Sequence, residues 1–132
     1  MLTQLKKRII IFLGISDKEV DMLQISLPRG DIRNIRFNVT SDGTAYTDFT
    51  EVYFSVKSST TKRDLLFQKK LSDGSIIQDG DYYTLRIESA DTENLEYRKY
   101  VFDIEVVKGN IIKQTTLGEL IITPEVTFNE NE

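Results

Sequence analysis

The sequence contains no cysteine, no histidine and no tryptophan among its 132 residues. Without cysteine the chain has neither a disulfide framework nor a thiolate metal site. Without histidine it lacks the commonest general base and the commonest zinc ligand, and Ser–His–Asp and Cys–His catalysis are both excluded within it. We therefore expect a protein that is not an enzyme and that binds no cofactor and no metal.

Basic residues are also in the minority, with 17 Lys and Arg against 21 Asp and Glu, which gives a net charge of −4. Nucleic-acid affinity comes from clustered positive charge, so we expect no nucleic-acid partner. The longest early apolar run, Ile9 to Ile15, is too short to span a bilayer and has no small-residue cleavage site after it. We therefore expect no membrane partner and no export signal, and we expect the chain to originate in the cytoplasm.

The first 23 residues have a different pattern from the rest of the chain. Four apolar residues recur there at helical spacing: Leu2, Leu5, Ile9 and Phe12. This spacing predicts a short helical segment over residues 1–23, and Ser16 with Glu19 forms a capping box for its second part. The β-branched run through Ile9 leaves a strand as the competing interpretation. The apolar stripe must be buried, either against the remainder of the chain or against another protein, so its four residues are candidate interaction residues.

From Gln24 onward the apolar residues recur at every second position, as half-buried antiparallel strands require. Four clear strands are predicted at Ile35–Val39, Val52–Val56, Tyr83–Ile87 and Tyr100–Val106, and shorter ones at Gln24–Leu27, Leu65–Lys69, Ile111–Thr115 and Glu119–Thr123. Such a series of short strands predicts an all-β fold, an antiparallel β-sandwich of about 7–8 strands over residues 24–128. Residues 129–132 are expected to form a frayed tail.

Turn residues separate these strands. Asp-Gly pairs at Asp42, Asp73 and Asp79 and the Gly109 segment predict hairpin or bulge connections. The same acidic turns could offer oxygen ligands to Ca²⁺, but none has the spacing of an EF-hand loop, and tight turns explain the residues equally well. Arg29-Gly30-Asp31 matches the tripeptide that cell-adhesion proteins show to integrins. Pro28 before it and the strand after it favour a structural turn.

Two tyrosines and two acids fall on outward strand faces. Tyr53 and Tyr82 are candidate interaction residues, because exposed aromatic side chains are enriched at interfaces. Asp103 and Glu105 share one face of their strand. Such a pair could serve a glycosidase, although alternation places solvated acids on outward faces in the absence of any function.

Seven segments of strand and turn residues together carry a resemblance: "ISLPRGD", "IRFNVTSDGTAYTDFT", "VYFSVKSS", "LLFQKK", "DGDYYTLRIESADTENL", "YVFDIEVV" and "LGELIITPEVT". In this order they resemble a domain family of bacteriophage virion proteins that includes the N-terminal domain of the baseplate upper protein. The pattern of this family is an opening strand, a Gly-Asp turn, a "DG" hairpin, a strand ending in "VK", a Tyr-Asp-Ile-Glu strand and a closing strand ending in "EVT". The matching places are Gly30-Asp31, Asp42-Gly43, Val56-Lys57, Phe102 to Glu105 and Glu125 to Thr127.

The resemblance implies an immunoglobulin-like sandwich that serves as a structural module of a tail or baseplate, or of the neck. It implies no catalytic residues. The expected partners are other virion proteins or further copies of the chain, and the expected location is a virion assembled in the cytoplasm of the host bacterium. The alternative is a β-sandwich module that binds carbohydrate or another surface through exposed tyrosines and acidic loops.

Overall fold

The computed structural model describes residues 7–13, 16–19, 23–41 and 44–125. These residues form eleven strands and one short helix. The strands are β1 Lys7–Leu13, β2 Ser16–Glu19, β3 Leu23–Pro28, β4 Arg33–Ser41, β5 Thr44–Tyr46, β6 Glu51–Lys57, β7 Leu65–Lys70, β8 Ile76–Asp79, β9 Tyr82–Ile87, β10 Lys99–Lys108 and β11 Ile112–Thr123, and helix α1 is Ser89–Thr92. Within this described part of the chain, no helix is long and apolar enough to cross a membrane.

The strands form two sheets. Sheet A has the order β2-β1-β4-β9-β8, and β5 pairs with the end of β4. Sheet B has the order β3-β11-β10-β6-β7. Neighbouring strands in both sheets are antiparallel, except that β3 and β11 are parallel. The predicted all-β class is confirmed, and the arrangement is β-sandwich-like.

The core lies between the two sheets and consists of the inward residues of each alternating strand. Sheet A supplies Ile35, Phe37, Val39, Ile76, Tyr83, Leu85 and Ile87, and sheet B supplies Leu23, Ile25, Leu27, Val52, Phe54, Val56, Tyr100, Phe102, Ile104, Val106, Leu120 and Ile122. Phe54 and Phe102 pack at the centre of sheet B with ring centroids 5.0 Å apart. Because the inward residues are fixed by pleating, the residues between them form the outer faces of the sheets.

The helical prediction for the N-terminal segment is wrong for the described residues. Residues 7–13 form strand β1, which pairs with β4 from Lys7 opposite Ser41 to Phe12 opposite Arg36. The strand interpretation of the Ile9 run is therefore the one that the structure has. An edge of sheet A supplies hydrogen-bond partners to this β-branched run, and such pairing outweighs a short helical spacing. The side chains of β1 and the predicted frayed tail lie outside the described residues.

Two further expectations need correction. Ile111–Thr115 and Glu119–Thr123 are not separate strands, because β11 runs without interruption from Ile112 to Thr123 alongside β10. The Asp73-Gly74 turn does not close a hairpin, because it joins β7 of sheet B to β8 of sheet A. By contrast, Gly80, with φ of 61°, closes the predicted hairpin between β8 and β9. The extra short strands β2, β5 and β8 and the N-terminal β1 explain why the described strands exceed the predicted 7–8.

The Arg-Gly-Asp stretch forms the predicted turn between β3 and β4. The Asp31 amide donates to the Pro28 carbonyl over 3.1 Å, and Gly30 between them has φ of 82°, as a type II turn requires. The Gly30 amide donates to the buried Thr92 hydroxyl over 2.8 Å. The Arg29 guanidinium stacks 4.3 Å from the Tyr97 ring centroid. The turn is thus built into the fold by contacts with α1 and the segment after it.

Candidate interaction surface

The outer face of sheet B contains a shallow groove between the side chains of β6, β7 and β10. It has a volume of about 460 Å³ and is lined by Tyr53, Ser55, Lys57, Arg63, Leu65, Gln68, Asp103 and Glu105. These residues define what we call the outer groove. Alternation along β6 and β10 explains its existence, since Tyr53, Ser55, Asp103 and Glu105 each lie between two core residues and Lys57 follows the core residue Val56.

Strand pairing sets which side chains meet in the groove. Asp103 lies opposite Ser55, and Glu105 lies opposite Tyr53, in the pairing of β10 with β6. Ser55 in turn lies opposite Gln68 of β7, whose side-chain amide donates to the Ser55 hydroxyl over 2.9 Å. The floor of the groove is therefore a polar row that runs across three strands.

The acidic side of the groove is electrostatically unusual. Burial raises the pKa of the Asp103 carboxyl, the nearby Lys57 opposes this effect, and the Glu105 carboxylate adds to it. The Glu105 carboxylate, by contrast, has a hydrogen-bond partner, because the Thr115 hydroxyl donates to it over 3.1 Å. A half-buried carboxyl that loses water without gaining a hydrogen bond is a group that a partner can stabilise.

The basic side of the groove comes from Lys57 and Arg63. With the described residues, the side chains of Lys57, Arg63 and Asp103 form no hydrogen bond and no ion pair. The groove thus presents charges of both signs that have no hydrogen bond or ion pair within the described chain. Such groups contribute to binding when a complementary surface removes them from water.

Two leucines flank this polar row. Leu65 on β7 is 50% exposed, and Leu117 on β11 is 52% exposed. Leu117 lies opposite Asp103 in the pairing of β11 with β10. Exposed apolar side chains on either side of a polar strip give a surface apolar area that a partner can bury and polar groups that set the partner's register.

The sequence-predicted interaction residues have different fates. Tyr53 lines the outer groove, as its outward position predicted. Tyr82 lies on the outer face of sheet A, where the Arg36 guanidinium stacks 3.8 Å from its ring centroid. The structure therefore does not bring these two tyrosines together. Ile9 and Phe12 belong to β1, with side chains outside the description, and Leu2 and Leu5 lie outside the described residues.

Sequence reasoning placed Asp103 and Glu105 on a common face but missed the residues that complete the groove. Lys57 and Gln68 are distant in sequence from this pair, and only the registers of β6 with β10 and β7 bring them close. The alternation of Tyr53, Ser55 and Lys57 showed that they share a face. No local signal showed which strand would lie beside it.

The acidic side chains of the described residues do not cluster around a common point. In the part that the structure covers, no group of three or more carboxylates is close enough to hold a metal ion. The Asp73 carboxylate instead closes its own turn by accepting from the Ser75 amide over 2.9 Å. This is the tight-turn role that the sequence offered as the alternative to calcium.

Comparison with known proteins gives no family assignment. No protein-family model matches this chain, and no curated protein matches it.

Proposed function

We propose that this chain is a non-enzymatic structural module of a bacteriophage particle, located in the tail, baseplate or neck, which works by protein–protein association. The outer groove is the surface that we assign to this association. The single observation that carries the proposal is the set of charged side chains of Lys57, Arg63 and Asp103, which form no hydrogen bond or ion pair with the described residues and are flanked by exposed leucines on the outer face of sheet B. The motif resemblance to virion proteins supplies the biological setting.

The proposal includes an immunoglobulin-like form of the sandwich. In support, β3 runs parallel to β11 while β4, β9 and β8 form the opposite sheet. The Tyr100 hydroxyl, at the start of β10, donates to the Glu96 carbonyl over 3.0 Å. A tyrosine that bonds back to the backbone a few residues upstream at this corner is a hallmark of immunoglobulin-like domains. Phe102 lies two residues later, where such domains place a core cysteine.

A rigid sheet suits an assembly role for an energetic reason. The groove residues of β6 and β10 are held by the ladder between these central strands. Their backbone is ordered during folding, so a partner that docks on them has only side chains left to order. Complementary charges then orient the partner, and the apolar flanks contribute buried area.

The proposed location in a particle is tested in the phage whose genome encodes this chain. Purified particles are digested and analysed by mass spectrometry, and the expected result is the chain at a stoichiometric copy number. A deletion of the gene is then complemented with the wild type, with Asp103→Lys in the groove, or with Ser26→Lys on the exposed edge strand β3. We expect the wild type and Ser26→Lys to restore intact particles and Asp103→Lys to fail. Particles that lack the chain would refute the proposal.

Carbohydrate binding is the second candidate, and one observation favours it. Tyr53 lies in the groove beside the hydrogen-bonding side chains of Gln68 and Glu105, and an aromatic ring among polar groups is a common way to bind a sugar. Binding on a glycan array that is lost with Tyr53→Ala and kept with Tyr82→Ala would favour this function. The Arg36 guanidinium stacked on Tyr82 makes that tyrosine the matched control.

A further inference from the structure

The charges around the outer groove form two groups. The acidic residues Asp103 and Glu105 project from β10, whereas Lys57 projects from β6 and Lys70 from β7. Arg63 lines the same side of the groove as these lysines, just before β7. The groove is thus acidic on its β10 side and basic on its β6–β7 side. Charges of the same strands outside the groove are held by other residues of the chain, since Glu51 of β6 accepts from the Val52 and Ser72 amides and Lys99 of β10 pairs with Glu119.

We propose that a second copy of this chain occupies the outer groove, in a two-fold dimer that packs sheet B against sheet B. This inference rests on the proposed function, because it names the partner of the same surface. The two-fold axis lies parallel to the strands, above the boundary between β10 and β6. The acidic β10 of each copy then faces the basic side of the other, so the face is complementary to itself.

The strand registers define the contacts of this arrangement. At equal levels, Asp103 faces Ser55 of the second copy, and Glu105 faces Tyr53 of the second copy. Lys57 lies one alternate position along β6 from Ser55, and its side chain is long enough to reach the facing Asp103. The half-buried Asp103 carboxyl, which has no hydrogen bond within the described chain, receives one from Lys57 of the second copy.

The apolar flanks also meet. A two-fold axis above the same boundary places β11 of one copy over β7 of the other. Leu117 of one copy faces Gln68 of the other. Leu65 of that other copy lies one alternate position from Gln68 along β7. Leu117 of one copy therefore lies near Leu65 of the other, offset by one alternate position, at both sides of the charged centre, and the dimer removes these two exposed leucines from water.

The charges exclude the neighbouring arrangement. An axis above the middle strand β10 would place Asp103 and Glu105 of one copy against the same two acids of the other, and like charges in a desolvated contact are strongly unfavourable. The area is that of a weak dimer. The axis overlays four strands, β11, β10, β6 and β7, and leaves β3 uncovered. Four strands spaced about 4.8 Å apart, each about seven residues long, give roughly 450 Å² per copy. The roughly 900 Å² buried in total is the size of a weak, transient interface.

A charge-swap experiment tests the dimer with two single variants. Lys57→Asp places two acids at each contact, and Asp103→Lys places two lysines there, so each variant alone is expected to sediment as a monomer where the wild type is a dimer. In an equimolar mixture, both contacts of a heterodimer pair a lysine with an aspartate. Sedimentation velocity of the mixture should therefore recover the dimer, whereas a contact within one chain would gain nothing from mixing.

Two controls keep the result interpretable. Leu117→Asp changes an exposed residue outside the charge pair and should lower the dimer fraction at least tenfold while the circular dichroism spectrum stays unchanged. Ser26→Asp on β3, which lies outside the groove, should leave the dimer intact. A wild type that remains monomeric up to about 1 mM, the weak end of specific association, would overturn the inference, as would folded single variants whose mixture stays monomeric. These outcomes concern self-association only, so the particle composition test of the proposed function stands apart from them.

Discussion

The Lys69 ammonium lies 2.8 Å from a carboxylate oxygen of Asp91, and both side chains are mostly buried. The same carboxylate oxygen accepts a hydrogen bond from the Glu88 amide over 2.7 Å at the start of α1. Lys69 belongs to the edge strand β7 of sheet B, whereas Glu88 follows β9 of sheet A. The ion pair therefore ties the two sheets together through the short helix that connects β9 to β10.

Removal of this ion pair should destabilise the fold. Asp91→Asn keeps an oxygen for the Glu88 amide but leaves the Lys69 charge without its partner, so we expect the free energy of unfolding to fall by about 2–3 kcal/mol. Lys69→Met retains the aliphatic stem of the side chain but leaves the Asp91 carboxylate without its partner. Urea unfolding of both single variants and the double variant should give a coupling of about 1–3 kcal/mol. Additive effects of the two changes would show that the pair contributes nothing.

The packing of Gly118 against Phe102 leads to a second prediction. A Cβ at Gly118 would lie 2.6 Å from a ring carbon of Phe102 and 2.8 Å from the Leu23 carbonyl oxygen. Gly118→Ala should therefore lower the free energy of unfolding by about 1–3 kcal/mol through overpacking. Phe102→Leu frees part of this space, so the double variant should lose less than the sum of the single changes. Chemical denaturation checks this. A Gly118→Ala variant as stable as the wild type would contradict it.

Two buried tyrosines differ in how their hydroxyls are satisfied. The Tyr83 hydroxyl lies in the core and forms no hydrogen bond of normal geometry with the described residues, and burial raises the pKa of this hydroxyl. The Tyr100 hydroxyl donates to the Glu96 carbonyl. We expect Tyr83→Phe to leave stability unchanged or raise it by up to about 1 kcal/mol, and Tyr100→Phe to lower it by about 1 kcal/mol. The two variants remove the same atom, so each is the control of the other in thermal unfolding. Equal losses would contradict the structure.

Asp103 should make the stability of the monomer depend on pH. Burial raises the pKa of its carboxyl in the folded state, so the folded chain binds this proton more tightly than the unfolded chain. The free energy of unfolding then falls as the pH rises from the ordinary value of about 4 through the raised pKa. Asp103→Asn should therefore be more stable than the wild type at neutral pH, and the difference should shrink on acidification. Thermal unfolding at dilute, monomeric concentration measures it.

Glu119 provides the control of opposite sign for this experiment. Hydrogen bonds from Lys99 and Gln24 lower the pKa of the Glu119 carboxyl. Its favourable contribution is present above the ordinary pKa and is lost as the pH falls through the lowered one. Glu119→Gln should therefore be less stable than the wild type at neutral pH and equal to it in acid. If the stability difference from the wild type changed in the same direction with pH for both variants, the assignment of burial to Asp103 and of hydrogen bonding to Glu119 would be wrong.

Strands with a long alternating pattern were the most predictable part of this protein. Every second residue of β10 from Tyr100 to Val106 is apolar, and the strand occupies residues 99–108 with these four residues buried. The N-terminal segment was not predictable in the same way, because helical spacing and β-branched content conflict there. Its strand β1 depends on pairing with β4, and the sequence does not encode that contact locally.

The candidate site followed the same division. By itself, the sequence determined the all-β class, the turn at Gly30 and the outward direction of Tyr53, Asp103 and Glu105, because these depend on alternation and on backbone conformations within a few residues. Only the tertiary structure decided that Lys57, Arg63 and Gln68 would share a groove with them. The neighbours of a strand are set by hydrogen bonds between distant parts of the chain, and these form together with the common core that both sheets bury.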